Sequence, residues 1–109
     1  MKARLTFSPQ AERDLAEIEA WLVREASPKA AASVLERIVA RLELVTELPF
    51  SGVPRPEFGP ETRFVRTSSY VIYYDARETE VDVLRVLHKA QDRDAIMRRQ
   101  LRTERDPKS

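Results

Sequence analysis

The chain has 109 residues and a near-balanced charge, with 19 lysines and arginines against 18 aspartates and glutamates and a formal net of +1. That length suits one compact unit with a modest core, and the balance argues against bulk nucleic-acid affinity, which shows a clear basic excess. With no cysteine and one histidine, disulfides, thiolate catalysis and Cys- or His-rich metal centres are excluded.

Residues 2–7, KARLTF, alternate: Ala3, Leu5 and Phe7 point one way and Lys2, Arg4 and Thr6 the other, the period of a half-buried strand. Ser8-Pro9 then marks a helix start, because serine caps a free backbone N–H and proline at the first helical position has none to lose. The helix predicted over about Pro9 to Ala26 carries Ala11, Leu15, Ile18, Leu22 and Ala26 on one stripe. Ser27-Pro28 repeats the punctuation. A second helix, about Pro28 to Leu48, carries Ala31, Leu35, Ile38, Leu42 and Val45 on its stripe, widened by Val34, Val39 and Leu44. So short a connection implies an antiparallel helical hairpin.

Residues 49–62, PFSGVPRPEFGPET, hold four of the seven prolines and both glycines. They are expected to form a loop with no packed element of its own, laid on the core by Phe50, Val53 and Phe58. Three strands follow, about Thr62–Thr67, Ser69–Asp75 and Glu80–Leu87, the last two rich in β-branched and aromatic residues. The polar run Asp75-Ala76-Arg77-Glu78-Thr79 is the hairpin turn between them. From about Gln91 to Ser109 the chain is highly charged, with Ile96, Met97 and Leu101 as a narrow apolar stripe on a short terminal helix. Its last residues are expected to be disordered.

The expected fold class is therefore α+β in the order β-α-α-β-β-β, an N-terminal strand and αα-hairpin packed on a mainly antiparallel sheet, with a short C-terminal helix. The opening MKARLTFSPQ lacks the apolar run of a secretion signal and no segment reaches membrane-span length, so a cytoplasmic protein is expected. No acidic motif supports a carboxylate magnesium site, and neither a metal nor another cofactor is expected.

Several segments, taken in order, carry a family resemblance. Leu5-Thr6-Phe7-Ser8-Pro9-Gln10-Ala11-Glu12-Arg13-Asp14-Leu15 is a strand entering a helix. Pro49-Phe50-Ser51-Gly52 is a P-x-x-G loop after the second helix. Tyr70-Val71-Ile72-Tyr73-Tyr74 is followed by Val81-Asp82-Val83-Leu84-Arg85-Val86-Leu87-His88. Together, from roughly Leu5 to Asp92, they resemble the RelE/ParE superfamily of toxins from type II toxin–antitoxin systems. The Leu-Arg-Val-Leu-His ending is similar to the ParE branch. The resemblance implies a toxin unit over residues 1–92 with a charged C-terminal helix and tail over 93–109. It also implies growth inhibition through a protein target, DNA gyrase, and neutralisation by a cognate antitoxin, ParD-like or other, in a hetero-oligomer. RelE-type members instead cut mRNA on the ribosome. A third alternative is a fold without toxicity that acts only in an antitoxin complex.

Metal-independent RNA cleavage needs a base for the ribose 2′-OH, a cation for the phosphorane charge and an acid for the leaving oxygen. Arg63, Arg66, Arg85 and His88 are the candidate set. Under strict alternation, however, Arg63 and Arg66 face opposite sides, and so do Arg85 and His88. The loop carries only Arg55 where RelE-type members carry lysines, and His88 is followed by Lys89-Ala90-Gln91 rather than a tyrosine. No catalytic residue is therefore assigned. Arg63, Arg66, Arg85, His88 and Lys89 are the target-binding candidates. The structural alternative for Arg85 is a carboxylate partner, Asp82 or Asp92, and for His88 a hydrogen bond to loop backbone.

By pleat, Tyr70, Ile72 and Tyr74 share one face, and Val71, Tyr73 and Asp75 the other. One face meets the helices; the other leaves aromatic surface that a chain this small is expected not to cover. Trp21 falls off the stripe of the first helix, either packed in the core or lining a partner groove. Trp21, Phe58, Tyr70, Tyr73 and Tyr74 are the antitoxin-binding candidates. In the tail Arg93, Arg98, Arg99, Arg102 and Arg105 are interleaved with Asp92, Asp94, Glu104 and Asp106, the pattern of a solvated helix face. No membrane contact and no direct sequence-specific DNA binding is expected.

Overall fold

The computed structural model describes residues 2–105, with side chains described through Gln100. Strand β1 (Arg4–Phe7) leads into helices α1 (Pro9–Glu25) and α2 (Pro28–Glu47), and a 3₁₀ turn (Pro49–Ser51) into β2 (Val53–Pro54). Then come β3 (Thr62–Thr67), β4 (Tyr70–Ala76), β5 (Glu80–His88) and α3 (Arg93–Arg105). Both serine caps form as the sequence dictates: Ser8 Oγ accepts from Ala11 N and Ser27 Oγ from Ala30 N, each at 3.0 Å, with proline at the first helical turn.

The sheet order is β1-β5-β4-β3-β2. β1 lies parallel to β5, and the remaining pairs are antiparallel. The helical hairpin covers one face, where Ala11, Ile38, Leu42 and Val45 meet Val65, Tyr70, Ile72, Tyr74, Val81, Val83 and Val86. The other face is covered too, contrary to the expectation of bare aromatic surface. Phe58 from the loop and Met97 from α3 close over Phe64, Val71, Tyr73 and Leu87, with Ile96 and Leu84 at the margin. The charged terminal helix thus supplies an apolar edge that completes a second, smaller core. Leu101, placed on that same stripe by sequence, has a side chain outside the described set, and residues 106–109 lie outside the described residues.

The proline-rich loop departs from expectation in two ways. It contains a strand, because Val53 and Pro54 pair with Phe64 and Arg63 of β3. It is also only partly laid down: Phe58 is buried, whereas Phe50 and Val53 are about half exposed, at 54% and 47%. What fixes the loop is a tyrosine from the sheet. The Tyr74 hydroxyl donates to Pro49 O at 2.9 Å and accepts from Gly52 N at 3.0 Å. Burial pushes this phenol above its ordinary pKa, so it remains a neutral donor. Gly52 is required by close approach, since a Cβ there would sit 2.3 Å from the Tyr74 oxygen and 2.8 Å from Phe64 O.

Replacing Tyr74 by Phe leaves Gly52 N–H and Pro49 C=O without this partner. Urea unfolding of Tyr74→Phe is expected to show a loss of about 1–3 kcal/mol. Unchanged stability would show that the hydroxyl does not anchor the loop.

Candidate functional site

β1 covers β5 only as far as Val83. Beyond that point the β5 edge would present unpaired backbone groups, and α1 supplies side chains to meet them. Ser8 N donates to Val83 O at 2.9 Å and Ser8 Oγ to Leu84 O at 2.7 Å. Asp14, further along α1, accepts from Val86 N at 2.9 Å. The same carboxylate takes both Arg85 Nε and Nη2 at 2.8 Å.

A bulge makes this possible. Tyr73 pairs with Arg85 but Tyr74 pairs with Val83, which leaves Leu84 as an extra residue on β5. The pleat therefore reverses, so that Val81, Val83 and Val86 all face the helices. Arg85 falls opposite Tyr73, and its guanidinium reaches back past the open edge to Asp14. The sequence had offered Asp82 or Asp92 as its partner. Asp82 is engaged instead with Arg77 and Thr6, and Asp92 caps α3 by accepting from Ala95 N at 3.3 Å. The hydrogen bonds it donates to Asp14 hold Arg85 above the ordinary arginine pKa, locking it as a neutralised cation.

Pinned at Asp14, α1 stands off the end of β5 and leaves a groove of about 700 Å³. Ile18, Trp21, Tyr70, Val86 and His88 line it, with Glu17 and Arg24 at its rim. Trp21 is 52% exposed here, so its alternative reading as a core residue is overturned. His88 closes the groove's far end. Its Nδ1 accepts from Ala90 N at 3.0 Å, its backbone N–H donates to Gln91 Oε1 at 2.7 Å, and its ring meets Tyr70 edge-on at 5.4 Å. Lys89 is exposed and continues the pairing, with its N–H on Ser69 O at 2.7 Å.

The remaining cations lie across the sheet. Arg63 donates to Phe50 O at 2.8 Å and Gly52 O at 2.9 Å, with its guanidinium 5.4 Å from the Phe50 ring. Arg66 is exposed beside Phe64, which Arg55 flanks as well, at 5.5 and 4.5 Å respectively. Cross-strand register places Arg66, Val71 and Leu87 in one row and Phe64, Tyr73 and Arg85 in the next, on the α3 side. Arg63 and His88 belong to the helix side. The structure thus keeps Arg63, Arg66, Arg85 and His88 in four separate settings, each at a different depression of the described surface. Among the antitoxin candidates, Trp21 is exposed, whereas Phe58, Tyr70, Tyr73 and Tyr74 are buried within the chain's own cores. Among the described residues no cluster of three His, Cys, Asp or Glu side chains gathers, and no helix is long and apolar enough to cross a membrane.

Asp14 was absent from the sequence-derived candidates, yet a signal existed. It sits between Ala11 and Ile18, beside Leu15, on the stripe the helix buries, where an unpaired carboxylate is untenable.

The family described as the ParE toxin of type II toxin–antitoxin system, parDE, matches residues 5–93. Among solved structures, the chain is similar to the chromosomal ParDE toxin–antitoxin system from P. aeruginosa, with a TM-score of 0.66 and 20% identity over 80% of this chain and 96% of that one. It is also similar to the RelBE2 toxin–antitoxin complex from Mycobacterium tuberculosis, with a TM-score of 0.57 and 26% identity over 81% and 99% of the two chains. No protein of curated function matches the sequence significantly.

Asp14→Asn leaves Arg85 without its counter-charge in a site where the carboxylate is almost wholly enclosed. The expected loss is roughly 3 kcal/mol, at the low end for breaking a buried pair because the guanidinium keeps some solvent contact. Chemical denaturation of the purified variant measures it. A loss under about 0.5 kcal/mol, the scale of an ordinary surface change, would show that α1 is held elsewhere.

Proposed function

Because the chain belongs to the ParE toxins of type II toxin–antitoxin systems, we propose that it arrests growth by binding a protein target, DNA gyrase, and that a cognate antitoxin holds it inactive. The carrying observation is the dispersal of the cationic set. Arg85 is consumed by Asp14, and His88 engages loop backbone across the sheet from Arg66. Phosphoryl chemistry needs its cation and its acid–base groups converging on one reacting atom. These residues support contact rather than cleavage. Arg63 and Arg66 are the candidates that keep a cation facing outward, and the target reading rests on them; Lys89 is exposed at the other end of the sheet.

The antitoxin is assigned to the α1–β5 groove. Its lining of Ile18, Trp21, Tyr70 and Val86 offers an apolar seat for one face of an amphipathic helix or for an extended segment. Antitoxin complexes of the P. aeruginosa ParDE and M. tuberculosis RelBE2 proteins support a partner of this kind. The likeness to RelBE2 also sustains the second reading, a ribosome-dependent mRNA endonuclease.

Induced expression of the chain alone is expected to arrest growth, and the purified chain to inhibit gyrase supercoiling. His88→Ala is expected to keep that inhibition within about threefold, the change expected of a surface contact that is not a hot spot. Arrest with unaffected gyrase, together with mRNA ends cut at codons, would transfer the function to the ribosome. Absence of arrest would leave only the antitoxin-complex reading.

Trp21→Glu places a charge in the groove's apolar seat. Its affinity for the co-expressed antitoxin is expected to fall at least about thirtyfold, some 2 kcal/mol, while toxicity persists. Undiminished rescue by the antitoxin would place the antitoxin on another surface.

A further inference from the structure

We propose that the face formed by α2, β2 and the outer edge of β3 docks an acidic, apolar-studded surface of the protein target, and that Arg37, Arg41, Leu44, Leu48, Phe50 and Val53 carry the contact. The inference rests on the target-binding reading above and extends it from two arginines to a defined surface with a defined chemistry.

Residues 37, 41 and 44 recur at i, i+4 and i+7, one stripe of α2, and Leu48 follows as its C-cap. Two hydrogen bonds fix where that stripe lies: Arg37 Nη1 donates to Ser68 Oγ at 3.4 Å, and Arg41 Nε to Arg66 O at 3.3 Å. The stripe therefore borders β3. The chain then turns through Phe50 and returns as Val53 opposite Phe64, and Arg41, Val53, Phe64 and Arg66 line one shallow depression. Leu44, Leu48, Phe50 and Val53 are exposed by 56%, 67%, 54% and 47%. Four large apolar side chains within ten residues, all open to water around the β2–β3 edge, form the kind of patch that marks an interaction surface.

Around Val53 the charged lining residues are Arg41 and Arg66 alone, whereas Glu61 and Glu78 share the Phe50 depression with Arg63 and Arg77. Among the described residues, Arg37, Arg41, Arg55, Arg63 and Arg66 form no ion pair. Each is instead steadied by a neutral group, a hydroxyl, a backbone carbonyl or an aromatic ring. At 100° per residue, Glu36, Glu43 and Glu47 project from a different face of α2. The guanidiniums are thus held in place with donors left over, an arrangement that favours incoming carboxylates with little ordering cost. The leucines decide between polyanions. A phosphate backbone has nothing apolar to cover them, whereas a protein surface with carboxylates around an apolar centre satisfies both halves of the patch.

The test compares the purified chain with its Arg41→Glu/Leu44→Glu variant for binding to immobilised DNA gyrase and for inhibition of supercoiling. Glu12→Gln, on the far helix, serves as control, and circular dichroism verifies each fold. The expected result is binding weakened at least about a hundredfold in the variant, an unaltered control, and a wild-type affinity that falls as salt rises. Should the double variant unfold, Arg37→Glu/Phe50→Ser carries the same expectation. A folded variant that binds gyrase like the wild type overturns the surface while leaving the target reading intact. A wild type that does not bind gyrase overturns both. Capture of a fluorescein-labelled oligouridine by the wild type and not by the variant would reassign the patch to nucleic acid and overturn the protein partner.

Discussion

The architecture depends on how an open strand edge is closed without another strand. β1 is four residues long and β5 is nine, so half of β5 would be bare. One carboxylate and one serine meet the exposed backbone groups there. Asp14 takes the Val86 N–H and the Arg85 fork together, while Ser8 serves the neighbouring carbonyls. A hydrogen bond to a charged acceptor is stronger than the neutral ladder bond it replaces. The arrangement is also self-limiting, because the edge is occupied by side chains that offer no template to a further strand. α1 is pinned to β5 at that point and stands away from it beyond, and the groove exists because of that difference.

Much of this fold could be read from residue pattern. The two Ser-Pro starts, the 3.6-residue stripes and the alternation in β3 to β5 placed every main element to within a few residues, since each is a local signal. The family resemblance rested on the same elements in the same order. The features that escaped are non-local. The Leu84 bulge leaves no mark in a run of Val, Leu and Arg that reads equally well as regular strand. Pairing of Val53-Pro54 with β3 depends on Tyr74 reaching from the sheet to hold Gly52 and Pro49, a contact across more than twenty residues. The covering of the second face was missed because α3 is overwhelmingly charged, and only Ile96 and Met97 betray the side it turns inward.

Arginine was the hardest residue type to interpret, and the structure shows why. Four arginines between residues 63 and 85 are held in different ways. Arg85 meets a carboxylate and is neutralised, Arg77 gathers Glu61, Glu80 and Asp82 at the hairpin, Arg63 binds carbonyls, and Arg66 lies beside a ring. Sequence gives the cation but not its partner, and the partner determines whether any charge remains to act outward. Where the partner is a carboxylate the residue is structural; where it is a carbonyl or an aromatic face the charge survives and is merely held still.

The two ends of the sheet consequently differ in kind. At the β5 end, Asp14 and Gln91 consume the edge's own polar groups, Arg85 is neutralised, and what remains beside α1 is an apolar hollow with Trp21 at its rim. At the β2 end the strand is only two residues long, the arginines keep their charge, and the apolar side chains stand out from the surface rather than line a cleft. A hollow suits an inserted side chain or helix face, and its affinity comes from burial. An open basic surface with leucines suits a partner that is already folded, and its orientation comes from charge. The two surfaces occupy opposite edges of one rigid sheet, so they are separable by single substitutions. That separation follows from the strand order itself, because the hollow draws on β5 and β4 beside α1, while the basic face draws on β3 and β2 beside α2, at the other end of the order.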